Sequence, residues 1–304
     1  LGLVVAVVAA RVLTLAISAV LVRKDLISAS RVQFAKGAAM ALVSFGGWVS
    51  AAGVIGPLLV VADRFLIGSA IGVTAVAFYT IAYNLAFKIT VVPGSVATVI
   101  FPRLAYLSPA DRGTLSVSSI QAIKFLCSPL VCVGLLVAEP VLVVWVGQEV
   151  AQEAGVVAEF LLLGVWANCV ARVPFAELQA IGEPRRLVSW LGMQLVPYLL
   201  LMVVLVNWLG LVGAALAWTL RVLVDSIGLF HIAGYKDRLR DLDVVDGLFL
   251  LLCFLQAVFL DWRDWLVQLL GFATVAAMAL YTLRNAPKGV SEFLPIQRIR
   301  SRFL

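Results

Sequence analysis

Residues Ile120–Val146 read IQAIKFLCSPLVCVGLLVAEPVLVVWV, apolar over most of the length, with Lys124 near one end and Glu139 near the other. A run of about 20 apolar residues is what a helix needs to cross the hydrocarbon of a bilayer. The run shows no period-2 alternation, so it does not read as a barrel strand, and Leu187–Trp208 reads the same way. Inside lipid every backbone N–H and C=O must be satisfied within the protein, which leaves helices as the solution. The rest of the chain agrees. It is 63% hydrophobic and 13% charged, with a mean hydropathy of +1.07. A soluble domain is roughly half apolar and about a quarter charged. The expected fold is all-α: a polytopic transmembrane helical bundle.

Nine spans can be drawn: Gly2–Val22, Leu42–Ile67, Ala75–Phe101, Ile120–Val146, Ala158–Ile181, Leu187–Trp208, Leu211–Ala233, Val244–Leu260 and Trp265–Leu283. Basic residues recur in every second connection. Arg23, Lys24, Arg31 and Lys36 follow the first span; Arg103 and Arg112 follow the third; Arg185 and Arg186 follow the fifth; Lys236, Arg238 and Arg240 follow the seventh. The tail adds Arg284, Lys288, Arg298, Arg300 and Arg302. The alternate connections are neutral or acidic, and Glu139–Glu159 holds four glutamates with no Lys or Arg. The positive-inside rule then puts the basic loops and the C-terminus in the cytoplasm. Trp145, Trp208, Trp262 and Trp265 fall at the opposite boundary, as an aromatic belt does. The net charge of +6 is explained by these loops and calls for no nucleic acid. By the same rule the first helix starts outside, with no signal-peptide pattern before it. The expectation is a chain that begins in mid-architecture, after an N-terminal helical part.

Charges inside spans are costly and are functional candidates by default. Here they are Arg11, Asp63, Arg64, Lys88, Arg221 and Asp225. Arg221 and Asp225, four apart on one helical face, can pair locally or face a cavity. Arg64 is close enough to the outer boundary to snorkel, which leaves Asp63 in need of another partner. Lys88 sits well inside its span with no acid within a turn or two, reading either as a snorkelling cation or as one lining a water-filled cavity. Arg11 carries the same ambiguity. Pro57, Pro93, Pro129, Pro174 and Pro197 lie within spans and favour kinks. Ser69–Leu85 and Asn207–Leu223 both read as a glycine-bearing turn followed by a helix of small residues, through true repetition or through close helix packing. Cys127, Cys132, Cys169 and Cys253 all fall in apolar runs and read as buried thiols. No nucleophile elbow, zinc pair, Walker loop or dinucleotide turn is present, and the single His231 lies at a helix end. Neither a catalytic centre nor a cofactor is expected.

Several stretches carry a family resemblance. ADRFLIG (Ala62–Gly68), FYTIAYNLAFK (Phe78–Lys88), VPGSV (Val92–Val96), FPRL (Phe101–Leu104), NCVARVPFAELQAIGEP (Asn168–Pro184) and GLVGAALAWTLRVLVD (Gly210–Asp225) follow in order. This series resembles the bacterial Wzx-type oligosaccharide (O-antigen) flippases, within the superfamily of the MATE-type exporters. The resemblance implies the C-terminal lobe of a MATE-like transporter. Residues 1–22 would be the last helix of an N-terminal lobe, 23–41 a cytoplasmic linker and 42–233 a six-helix lobe. Residues 234–283 would be two added helices and 284–304 a basic tail. It implies, as partners, a lipid-linked oligosaccharide on undecaprenyl diphosphate, membrane lipid, and polymerase and glycosyltransferase machinery, in a bacterial inner membrane. Lys88, Arg64, Arg221 and Arg11 would face a cationic cavity, with Asp63 and Asp225 positioning them. Two other readings compete. An ion-coupled drug exporter of the same fold would favour unpaired buried acids. A membrane-embedded polymerase or ligase would carry a large loop with catalytic residues, whereas Glu139–Glu159 has neither His nor Arg.

Overall fold

The computed structural model describes residues 8–20, 36–235, 244–260 and 264–285, and among them the chain is helical between short turns, with no strand. Contacts divide it into a first unit, Leu1–Gly47, and a second, Trp48–Leu304. The first unit contains α1, Val8–Val20, exposed along its described length. Helix α2, Lys36–Ala70, crosses the division. The second unit continues with α3 (Val73–Phe87), α4 (Val91–Tyr106), α5 (Pro109–Val146), α6 (Gln148–Ala180), α7 (Pro184–Ile232), α8 (Val244–Phe259) and α9 (Trp265–Arg284). Among the described residues, six segments are long and apolar enough to cross a membrane. The chain is an all-α, multi-pass membrane protein. Of the stretches read above as linker (23–41) and basic tail (284–304), residues 23–35 and 286–304 lie outside the described residues, as does the loop 236–243, while residues 36–41 are the start of α2.

Local sequence sets the helix ends. Ser108 starts α5: its hydroxyl accepts from the Asp111 N–H at 3.3 Å, and Pro109 fills the first helical position, where no donor is needed. Arg112 reaches back to the carbonyls of Leu104 and Leu107, both at 3.0 Å, and satisfies the end of α4. Asp264 caps α9 through Leu266 N–H at 3.0 Å. Between α3 and α4 the helix tightens into a single 3-10 turn, Lys88–Thr90. Pro93 accounts for this, since it cannot donate to the carbonyl of Ile89 and its ring crowds that carbonyl. The pair α3–α4 is therefore one crossing segment, Val73–Tyr106, with this tighter turn near its middle.

Segment α7 is two helices joined at Gly210, whose φ 59, ψ −133 is a backbone state that favours glycine. Cross-contacts pair positions symmetric about that residue. Gln194 meets Asp225, Tyr198 meets Arg221, and a Cβ on Gly228 would sit 1.9 Å from the Trp190 ring. The two arms, 184–209 and 211–232, form an antiparallel hairpin. Each arm rises about 33–39 Å at ~1.5 Å per residue, enough to span the hydrocarbon.

Helix α6 is the centre of the second unit. Its apolar window is 72% buried against 33% or less for the other five crossing segments, and it packs on α3, α4, α5, α7 and α8. Small residues allow this, since helices in lipid associate through close packing. A Cβ on Gly164 would come within 2.5 Å of Trp218, so the indole lies directly on the α6 backbone. The outward faces keep large apolar side chains such as Val144, Leu200 and Phe272, as lipid contact requires.

One expectation changes form. The Glu139–Glu159 stretch is not a loop: α5 runs to Val146, Gly147 turns the chain, and α6 starts at Gln148. Its Ala, Glu and Gln content is polar enough to read as loop yet consists of strong helix formers, and Ala151, Ala154 and Val157 are fully buried. The four cysteines are free and buried, as expected.

Candidate functional site

Asp63 lies on α2 two turns before the glycine turn to α3, and it is fully buried. Its carboxylate accepts from Tyr79 of α3 at 3.4 Å and, in a much shorter bond, from Tyr198 of α7. A buried carboxylate without such donors would cost several kcal/mol, of order 1–3 per lost hydrogen bond. Three helices are thereby tied at one acidic point. The sequence shows that Asp63 needs a partner; it does not show which tyrosines supply it.

Arginines flank this knot on both sides. The Arg64 guanidinium lies 5.0 Å from the Tyr83 ring centre and that of Arg221 5.4 Å from the Tyr198 ring. Such cation–π contacts contribute about 0.5–2 kcal/mol, more where water is excluded. Tyr79 and Tyr83, four apart, share the face of α3 turned inward. Tyr83 stacks on Phe87 at 3.9 Å, and both meet Trp218 edge-on at 6.1 and 5.4 Å. The result is an aromatic wall edged by two fixed guanidinium groups.

Below the knot, between α3, α6 and α7, lies a cavity of about 250 Å³. Tyr83, Phe87 and Trp218 form its aromatic side, and Asn168, Arg172 and Arg221 are among its polar groups. The buried Nε of Arg221 has no hydrogen-bond partner in the protein. Asp225, one turn further along, forms no salt bridge with Arg221. Its Oδ1 instead accepts from Trp190 at 3.0 Å and from Gln194 at 2.9 Å across the hairpin. Arg221 thus lines the cavity as a cation that Asp225 does not neutralise in a salt bridge, with one buried donor left without an acceptor.

The six residues singled out from the sequence separate into groups. Asp63, Arg64 and Arg221 converge on the tyrosine knot, and Asp225 lines the cavity beside Arg221. Lys88 is exposed at the start of the 3-10 turn and does not line the cavity. Arg11 is exposed on α1, in the first unit. The sequence reading passed over Tyr79, Tyr198, Asn168 and Arg172 as site residues. For Tyr79 and Tyr83 the four-residue spacing was the available signal. Among the described residues, no group of three or more His, Cys, Asp or Glu is placed to hold a metal ion.

Comparison with known proteins places these features in context. A family described as polysaccharide biosynthesis protein matches residues 2–171. A Shigella flexneri protein named "Putative O-antigen transporter" is 33% identical over 219 residues, covering 72% of this chain and 52% of that protein. The chain therefore spans about half the length of this relative. No solved structure matches.

Proposed function

Since the chain belongs to the polysaccharide biosynthesis protein family, we propose that it forms part of a flippase for undecaprenyl-diphosphate-linked oligosaccharide. Cargo moves from the cytoplasmic to the periplasmic leaflet of a bacterial inner membrane, with the chain's C-terminus cytoplasmic. The observation that carries this reading is the aromatic and cationic cavity, with the buried Arg221 Nε left without a protein acceptor. Guanidinium groups suit a diphosphate because their planar fork matches its oxygens, and aromatic faces pack against the apolar faces of sugar rings. With the cytoplasm negative, each negative charge moved outward gains about 2.3 kcal/mol per 100 mV. A fixed cation in a dry cavity lowers the cost of bringing the diphosphate out of water.

Asp63 holds the tyrosine knot, and Asp225 holds the hairpin arms in register beside Arg221. Lys88, outside the cavity at the 3-10 turn of Val73–Tyr106, offers a further cation toward a passing lipid diphosphate. The relative's name as a transporter favours carriage over catalysis. A drug exporter would need a free acid at the cavity for its cationic cargo, and Asp225 there is held by Trp190 and Gln194. Asp63 is already held by two hydroxyls and flanked by two arginines, which disfavours that reading.

The test is surface polysaccharide in a strain carrying only the altered protein. Arg221→Ala is expected to lower it at least tenfold at normal membrane abundance, with lipid-linked oligosaccharide accumulating on the cytoplasmic leaflet. Arg221→Lys is expected to restore it only in part, because an ammonium lacks the fork. Undiminished polysaccharide with Arg221→Ala would sink the assignment of this cavity.

A further inference from the structure

Glu159 sits on α6, three turns from the Gly147 turn, and is 3% exposed. Its Oε2 is buried and has no hydrogen-bond partner. It points to the side of α6 that meets α5. One turn earlier on that face, Gly155 lets α5 approach so closely that an added Cβ would sit 3.4 Å from Cβ and Cγ of Glu139. Glu139 is the charged group that acts on Glu159 across this interface. The flanking Leu135, Ala138, Leu142, Ala158 and Leu161 belong to the hydrophobic core. The adjoining helices present apolar or neutral groups here. From α7, Thr219 donates to the Phe160 carbonyl at 2.7 Å; from α8, Phe254 packs edge-on against Phe160 at 4.9 Å. The whole segment between the two glutamates contains no Lys, Arg or His.

Two carboxylates that act on each other across one interface, Glu159 buried with an orphan oxygen and Glu139 half-buried, repel and are poorly solvated. A bound cation relieves both costs at once. We propose that Glu139 and Glu159 form a binding site for a single monovalent cation, a proton or Na⁺, in the α5–α6 interface near the Gly147 turn. By the alternation of loop charge this end of the hairpin faces outward, so the cation enters from outside. The site lies apart from the Arg221 cavity and does not depend on what that cavity carries.

Infrared difference spectra of the purified protein in lipid nanodiscs test this at neutral pH, in sodium chloride and in choline chloride, beside binding of radioactive sodium. If the ligand is a proton, a protonated-carboxyl band is present in both salts and is lost in Glu159→Gln. If it is Na⁺, choline-grown spectra lose a carboxylate band shift, and one sodium per chain binds with at least tenfold loss in both Glu159→Gln and Glu139→Gln. The glutamine variants keep shape and remove charge, and melting curves taken alongside are expected to lose their dependence on the cation. Two ionised carboxylates with no sodium bound overturn the proposal, as does a cation signal that survives in both variants. Loss of polysaccharide export with the cation signal intact bears on the cavity alone.

Discussion

At the scale of single residues, Asp63 concentrates the energetics of the second unit. Tyr198 donates its shorter hydrogen bond and Tyr79 the longer one, at 3.4 Å. Tyr198→Phe leaves a buried acceptor without its main donor and is expected to destabilise the protein by about 1–3 kcal/mol. Tyr79→Phe is expected to cost less. Thermal unfolding in nanodiscs measures both, and an equal or reversed order would contradict the geometry. Burial cost made Asp63's need for a partner legible in the sequence. The identity of the partners was not, because tyrosines in membrane helices serve equally as interface anchors, and only the packing of α2, α3 and α7 selects among them. Lys88 shows the opposite case. Its isolation suggested a cavity, yet one residue beyond Phe87 a helix has turned about 100°, and the side chain is exposed beside the aromatic wall.

At the scale of elements, glycines decide which helices can touch. Gly228 lies under Trp190 and Gly164 under Trp218, each closer than any Cβ tolerates. Gly228→Ala and Gly164→Ala are each expected to lower the melting temperature by several degrees, while Gly192→Ala, with nothing within 4 Å of its Cβ, is expected to be neutral or slightly stabilising by up to ~1 kcal/mol. Gly210→Ala is expected to cost about 1 kcal/mol through its positive φ. The two arms of α7 were readable because Asn207–Gly210 interrupts an otherwise unbroken apolar pattern. The start of α6 was not readable, because glutamate-rich helix and acidic loop share a composition and only the burial of Ala151 and Ala154 tells them apart.

At the scale of the second unit, polar fasteners hold α5, α6, α8 and α9 together. Lys124 of α5 and Asp246 of α8 form a 3.0 Å salt bridge, both almost fully buried, and Gln256 of α8 donates to Thr274 of α9 at 3.1 Å. Glu177 of α6 accepts from Ser116 of α5 at 2.7 Å and from Tyr235 just past α7. Removing one partner of a buried pair costs about 3–5 kcal/mol, whereas replacing both by apolar groups is near neutral. Lys124→Met alone is thus expected to destabilise strongly, and Lys124→Met with Asp246→Leu to recover most of the loss in melting temperature. Orientation is testable in the same molecule. Trp208→Cys is expected to react with an impermeant maleimide from outside intact cells and Ala110→Cys only after permeabilisation; the reverse pattern would invert the loop-charge reading.

The central position of α6 also bears on how the chain is made. Helix α6, whose apolar window is 72% buried, carries Glu159 in its buried face and Glu177 in its last turn, and it meets lipid before it meets its partners. An ionised side chain within a membrane helix costs up to roughly 2.5–3.5 kcal/mol at the translocon, so α6 gains from leaving the ribosome-bound channel with a partner. Its partner in sequence, α5, is joined to it by Gly147 alone and supplies Ser116 for Glu177. The two are expected to partition into the bilayer together, as a co-translational hairpin, with α7 closing over them only after its own synthesis is complete.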